Sequence, residues 1–157
     1  MTTDPQPETP GVPEALEELM AELDSLDMTE RGQMLIELSR EFEEVSPEVA
    51  QRPFPEDHRI LRCESGAYVW ALDREDGTLE YQFAVENPQG VSARALSAIL
   101  QQTVSGEPAD KIAGIPSDIA IRIFGGSLTM GKGQGLMGIV SAVSRAAKNR
   151  LKGPDAE

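Results

Sequence analysis

The amino-acid sequence predicts an α+β fold, a small antiparallel sheet of about three strands packed by helices. Three observations predict it. Two periodic helical runs, with Leu16, Leu19, Met20 and Leu23 and then Met34, Leu35 and Leu38, open the chain. A β-prone centre follows, in which Ala67 to Asp73 and Leu79 to Val85 flank the hairpin signal Asp76-Gly77, a pair that tolerates the positive φ such turns require. Longer helical runs close the chain and supply the cover that a sheet with one apolar face needs.

In chain order, residues 1–12 are rich in proline and acid and lack apolar periodicity, so they are expected to be a disordered tail. A single domain is expected over 13–152, and 153–157 form a second short tail. Pro13 suits a helix start, because its missing N–H is no loss in the first turn. Asp27 and Glu30 stand three apart, as a capping box requires, ahead of a second helix whose inward residues extend to Phe42 and which must stop before Pro47. Residues 46–58, with Pro47, Pro53 and Pro55, read as a loop. The sheet is expected from His58–Arg62, Ala67–Asp73 and Leu79–Val85, where Leu79, Tyr81, Phe83 and Val85 alternate with Glu80, Gln82 and Ala84 and imply one buried face. Val91, Leu96, Ile99, Leu100 and Val104 describe an amphipathic helix after the Asn87-Pro88-Gln89-Gly90 turn. Short helices are expected near 107–113 and 117–124, and a long one over Gly133–Leu151. Tyr68 and Trp70 read as core residues of an alternating strand.

The 157 residues suit one core, and a formal charge of −13 argues against a nucleic-acid or anionic-membrane binder, which relies on clustered cations. The acids crowd the first third, whereas Arg145, Lys148, Arg150 and Lys152 gather at the carbonyl end of the last helix, where cations are favoured. No run approaches the roughly 20 apolar residues of a membrane span, and the N-terminus has no secretory signal pattern, so a soluble cytoplasmic protein is expected.

The one cysteine, Cys63, sits in the polar turn Leu61-Arg62-Cys63-Glu64-Ser65-Gly66. A lone thiol makes no internal disulfide and no multi-thiolate metal site, which leaves packing, nucleophilic, redox or carrier roles. Between two antiparallel strands it is expected near an exposed hairpin tip, open to a partner. Arg59, Arg62 and His58 are near enough in sequence to favour a thiolate, although strand alternation sets Arg59 and Arg62 on opposite sides so that both cannot help, while Glu64 opposes it. His58, the only histidine, lies five residues away, yet no oxyanion-hole signature accompanies it, which weighs against a cysteine hydrolase. One Cys and one His fall short of a structural zinc site. Gly126, Gly131 and Lys132 match phosphate-loop spacing, but Gly133 stands where a Ser or Thr must hold Mg²⁺.

The order helix, helix, cysteine turn, Val-Trp strand, hairpin, helix and final helix resembles the SufE family. Ile36-Glu37-Leu38, Cys63-Glu64-Ser65 with Val69-Trp70, and Leu128-Thr129 with Gln134-Gly135-Leu136 bear the resemblance over roughly residues 15–151. It departs from the family pattern in Arg62, where the family has glycine, in a Val69-Trp70 pair about two residues further from the cysteine, and in Lys132, where the family has arginine. What the resemblance implies is a sulfur carrier that takes persulfide sulfur from a SufS-type cysteine desulfurase onto Cys63 and passes it toward an iron–sulfur cluster-assembly scaffold. Arg62, Glu64, Ser65 and Lys132 would then support the thiolate or meet the partner. No cofactor is implied for this chain, since pyridoxal phosphate belongs to the desulfurase. The alternative is an adaptor that docks on a partner through its helices with Cys63 incidental.

Overall fold

The computed structural model describes residues 12–60, 63, 65–87, 89–125 and 128–152. Both expected tails therefore lie outside the described residues, apart from Val12.

Helix α1 spans Glu14–Asp24 with Pro13 at its N-cap, and Leu16, Met20 and Leu23 are buried along one stripe. Helix α2 spans Met28–Arg40 and begins with the expected capping box: the Glu30 N–H donates to Asp27 Oδ1 at 2.8 Å, and the Asp27 N–H donates to Glu30 Oε1 at 3.1 Å. Phe42 lies just beyond the helix rather than in it, half-buried against the core. Two long strands follow, β1 at Ala67–Asp73 and β2 at Thr78–Val85, paired antiparallel from Ala67 opposite Val85 to Asp73 opposite Leu79. The turn between them fits the Asp76-Gly77 signal. Gly77 has φ 88°, the Arg74 N–H donates to Thr78 O at 2.9 Å, and Asp76 Oδ1 accepts from both the Thr78 hydroxyl and its amide. Those hydrogen bonds hold the Asp76 carboxyl below the usual carboxylate range.

The third strand is not the expected one. Residues Glu56–His58 form a 3-10 turn, and among the described residues the chain then pairs with β1 through the isolated antiparallel bridge Arg59–Tyr68, with the Ile60 N–H on Ala67 O at 2.8 Å. Residues 61 and 62 lie outside the described residues. The sheet is completed on its other side by β3, Glu107–Pro108, in the order β1-β2-β3. Helix was expected there, but Pro108 suits a short edge strand and the start of α4, Ala109–Ile112.

Helix α3, Val91–Val104, covers one face of the sheet with Leu96, Ile99 and Leu100. Val91 is 42% exposed rather than inward. Helices α5, Ile119–Phe124, and α6, Met130–Lys152, complete the main core, to which Leu136, Ile139, Val140, Val143 and Ala147 contribute along α6. Helix α6 starts three residues earlier than the spacing predicts. Gly133 lies within it and close against α5, where an added Cβ would stand 3.3 Å from Ile121 Cδ1. At the far side the buried Tyr81 hydroxyl of β2 donates to Val143 O at 2.8 Å.

The sheet buries two faces where one was expected. Leu79, Tyr81, Phe83 and Val85 enter the main core, while Tyr68, Trp70 and Ala84 point the opposite way into a second cluster with Val45 and Phe54 of the proline-rich segment. Phe54 lies 5.1 Å from the Tyr68 ring and 5.5 Å from Trp70, and His58 stacks on Trp70 at 5.2 Å. Tyr68 and Trp70 are thus buried, but outside the main core. Aromatic pairs at these separations add about 0.5–1.5 kcal/mol to area burial.

Candidate functional site around Cys63

Cys63 is not at an exposed tip. Its side chain is 6% accessible and belongs to the main core. The turn folds inward because its main chain is fastened to the segment between β2 and α3: the Glu86 N–H donates to Gly66 O and the Asn87 N–H to Ser65 O, both at 3.0 Å. Two glycines permit the close approach. Gly66 has φ +66°, and a Cβ there would stand 2.9 Å from Glu86 Oε1. A Cβ on Gly90 would stand 2.8 Å from Ser65 Oγ and 3.0 Å from Ser65 Cβ.

Cys63 nevertheless borders a cavity of about 280 Å³. Ser65 lines it from the same turn, Asn87, Gln89 and Gly90 from the next, Ser92 from the first turn of α3, and Thr129 and Lys132 from the start of α6. Thr129 caps α6: its O accepts from the Gly133 N–H at 2.9 Å and its Oγ1 from the Lys132 N–H at 3.2 Å. The N-terminal ends of α3 and α6 thus meet at the cavity that Cys63 borders and that Lys132 also lines, a setting suited to an anion.

The structure therefore brings Cys63, Ser65 and Lys132 to one cavity, with Ser65 half-buried and Lys132 exposed. Arg62 and Glu64 lie outside the described residues. His58 and Arg59 do not join Cys63. They line a different groove, and the His58 ring Nδ1 is 3.0 Å from Val69 O. Sequence reasoning missed the place of Asn87, Gln89 and Gly90 in the cavity wall. The available signal was Gly90, a glycine required by a close contact. The glycine-rich stretch before Gln134 has the wrong setting for a phosphate loop. It follows helix α5 rather than a strand, and Gly126 and Ser127 lie outside the described residues. Among the described residues no group of three or more His, Cys, Asp and Glu is arranged to hold a metal ion.

A family model described as SufE, Fe-S metabolism associated domain, matches residues 17–147. The solution structure of a hypothetical protein from Thermus thermophilus has the same fold. It is 21% identical with a TM-score of 0.71, over 90% of this chain and 98% of that one. No curated protein matches the chain.

Proposed function

Because the chain belongs to the SufE family, whose domain is associated with Fe–S metabolism, we propose that it accepts sulfane sulfur on Cys63 from a pyridoxal-phosphate-dependent cysteine desulfurase of the SufS type. The sulfur then moves on toward a scaffold for iron–sulfur cluster assembly. The observation that supports this reading is the single cysteine bordering a cavity shared with Ser65, Lys132 and two helix starts.

In the transfer, the Cys63 thiolate attacks the outer sulfur of the donor's cysteine persulfide. A new S–S bond forms to Cys63, the donor's S–S bond breaks, and the donor cysteine leaves as a thiolate. The donor's persulfide proton is shared with solvent, and one sulfur atom has changed hands without net oxidation. Ser65 and Lys132, together with the first-turn amides of α3 and α6, stabilise the anionic sulfur of the loaded form. The absence of a second cysteine suits a carrier, because no internal thiol discharges the persulfide as a disulfide. No residue of this chain needs a cofactor for the step, since the electron sink that generates the donor persulfide resides in the desulfurase. A cytoplasmic setting, where thiols stay reduced, belongs to the same reading. Among the described residues no helix is long and apolar enough to cross a membrane.

Incubation with a cysteine desulfurase, pyridoxal phosphate and cysteine without reductant, followed by intact-protein mass spectrometry, tests it. The wild type gains one or more sulfur masses that reductant removes, and Cys63→Ser gains none. Equal gain in Cys63→Ser, or no gain with an active desulfurase, overturns the carrier. The burial of Cys63 favours one second reading, an adaptor that stimulates a desulfurase without taking its sulfur. Full stimulation by Cys63→Ser would establish it.

A further inference from the structure

The carbonyl end of α5 is fastened by a side chain from another helix. Arg31 of α2 is 12% exposed, and its Nη1 donates to Arg122 O at 2.7 Å and to Ile123 O at 3.1 Å. Both carbonyls belong to the last turn of α5, where a helix runs out of its own donors. Arg31 Nη2 reaches Asp24 Oδ1 at 3.4 Å, and Asp24 Oδ2 also accepts from Arg122 Nη2 at 3.1 Å, so α1, α2 and α5 are tied at one point. A guanidinium suits this place twice over: its charge complements the negative end of the helix dipole, and its fork serves two carbonyls and a carboxylate at once. Arg31 Nε is buried with no hydrogen-bond partner among the described residues, so the side chain sits where the α5 carbonyls draw it rather than where all its donors are met.

Helix α5 in turn seats the start of α6. Gly133 is buried against it, and a Cβ there would stand 3.3 Å from Ile121 Cδ1. Lys132 is the residue before Gly133. With Thr129 it lines both the Cys63 cavity and an adjoining groove that Arg31 and Phe124 also line. Contacts between described residues thus run from Arg31 to the Arg122 and Ile123 carbonyls, and from Ile121 to Gly133 beside Lys132. The Lys132 side chain is exposed and makes no ion pair among the described residues. No carboxylate holds it at the cavity, so its place there follows from the backbone that carries it.

We infer that Arg31 is a positioning residue for the cysteine site. By fixing the carbonyl end of α5 it sets the start of α6, and with it the place of the Lys132 ammonium at the Cys63 cavity, without touching the sulfur. That role rests on the carrier reading, in which the Lys132 ammonium serves the anionic sulfur of the loaded form. A clasp that served stability alone would differ from it in one respect: its loss would leave the charge met by a reagent at Cys63 unchanged.

Two alkylating reagents of nearly equal size separate these roles, the anion iodoacetate and the neutral iodoacetamide. Each loses iodide to Cys63, the chain's single thiol. The ratio of the two rates on the full chain reports the cation beside the sulfur, because the frequency with which the turn opens cancels. In Lys132→Met the ratio of the iodoacetate rate to the iodoacetamide rate falls about threefold, the order expected for one unit charge several Å away in a largely aqueous setting. Arg31→Met lowers it by a similar factor and Arg31→Lys by less, and the double variant Arg31→Met with Lys132→Met falls no further than Lys132→Met alone. Gly133→Val presses the start of α6 away from Ile121 with Arg31 in place and no change of charge, and it also lowers the ratio; it decides the matter if Arg31→Met does not fold. The role is overturned by a wild-type ratio in either Arg31→Met or Gly133→Val, including the case in which both rates rise in parallel. Full additivity in the double variant, or a ratio indifferent to Lys132→Met, overturns it too. No desulfurase takes part, so this ratio and the gain of sulfur mass at Cys63 succeed or fail separately.

Discussion

At the scale of single residues, the position of Cys63 depends on two glycines more than on the polarity of its own turn. Gly90→Ala sets a methyl group against Ser65 Cβ and Asn87 O, at 3.0 and 3.2 Å. Rotation of the serine hydroxyl relieves neither contact. The expected outcome is a looser turn and faster alkylation of Cys63 by a maleimide, several-fold over wild type, measured by mass spectrometry under native conditions. Unchanged alkylation would mean that the turn absorbs the methyl without moving. Cys63 itself was legible as the functional centre because a lone thiol among polar residues has few other uses. Its burial was not legible, because the contacts that fold the turn inward come from Glu86 and Asn87, more than twenty residues away in sequence. Tyr81 shows a residue-scale effect of another kind. Burial holds its phenol well above the ordinary tyrosine range, and the neutral hydroxyl donates to Val143 O. Because the folded value is raised, this contribution is fully present below about pH 10, the ordinary phenol value, and is lost as pH rises beyond it. Tyr81→Phe is therefore expected to cost about 1 kcal/mol at neutral pH and to flatten the alkaline loss, read from urea unfolding at pH 7 and above pH 10.

At the scale of elements, local chemistry made most boundaries readable. The Asp27 and Glu30 box fixes the start of α2, and Asp27→Ala should lower stability by about 1 kcal/mol in a denaturant titration. A loss below a few tenths would mean that tertiary contacts alone set this helix start. The hairpin turn was legible for the same reason, since Asp76 and Gly77 supply its hydrogen bonds and its positive φ without outside help. What failed were the elements whose identity depends on distant partners. The run after His58 has strand-like residues but, among the described residues, makes one isolated bridge to β1, and Glu107–Pro108 becomes a strand only because β2 lies beside it. The second buried face was missed because Phe54 and Val45 sit in a proline-rich stretch without periodicity. The pattern within β1, with Tyr68 and Trp70 on the parity opposite to Val69 and Ala71, already required two apolar environments.

At the scale of the whole molecule, a charge of −13 on 157 residues makes self-repulsion a general destabilising field. Raising ionic strength from about 10 mM to 150 mM shortens the Debye length from roughly 30 to 8 Å and should raise the Tm. A falling Tm would mean that the ion pairs outweigh the repulsion. The contacts of the fold span very different lengths of chain. The β1–β2 hairpin closes over a four-residue turn, from Asp73 to Thr78, whereas Arg122 reaches back to Asp24 across 98 positions. Closing so long a loop costs entropy that nearby contacts must first offset. The expected order of assembly follows from that difference: the hairpin should gather α3 early, and α1 should dock on α3 and α5 late, once the distant halves of the chain already stand together. The amides of α1 should then exchange with solvent through openings smaller than global unfolding, with the amino-terminal helix the first element to leave and the last to return.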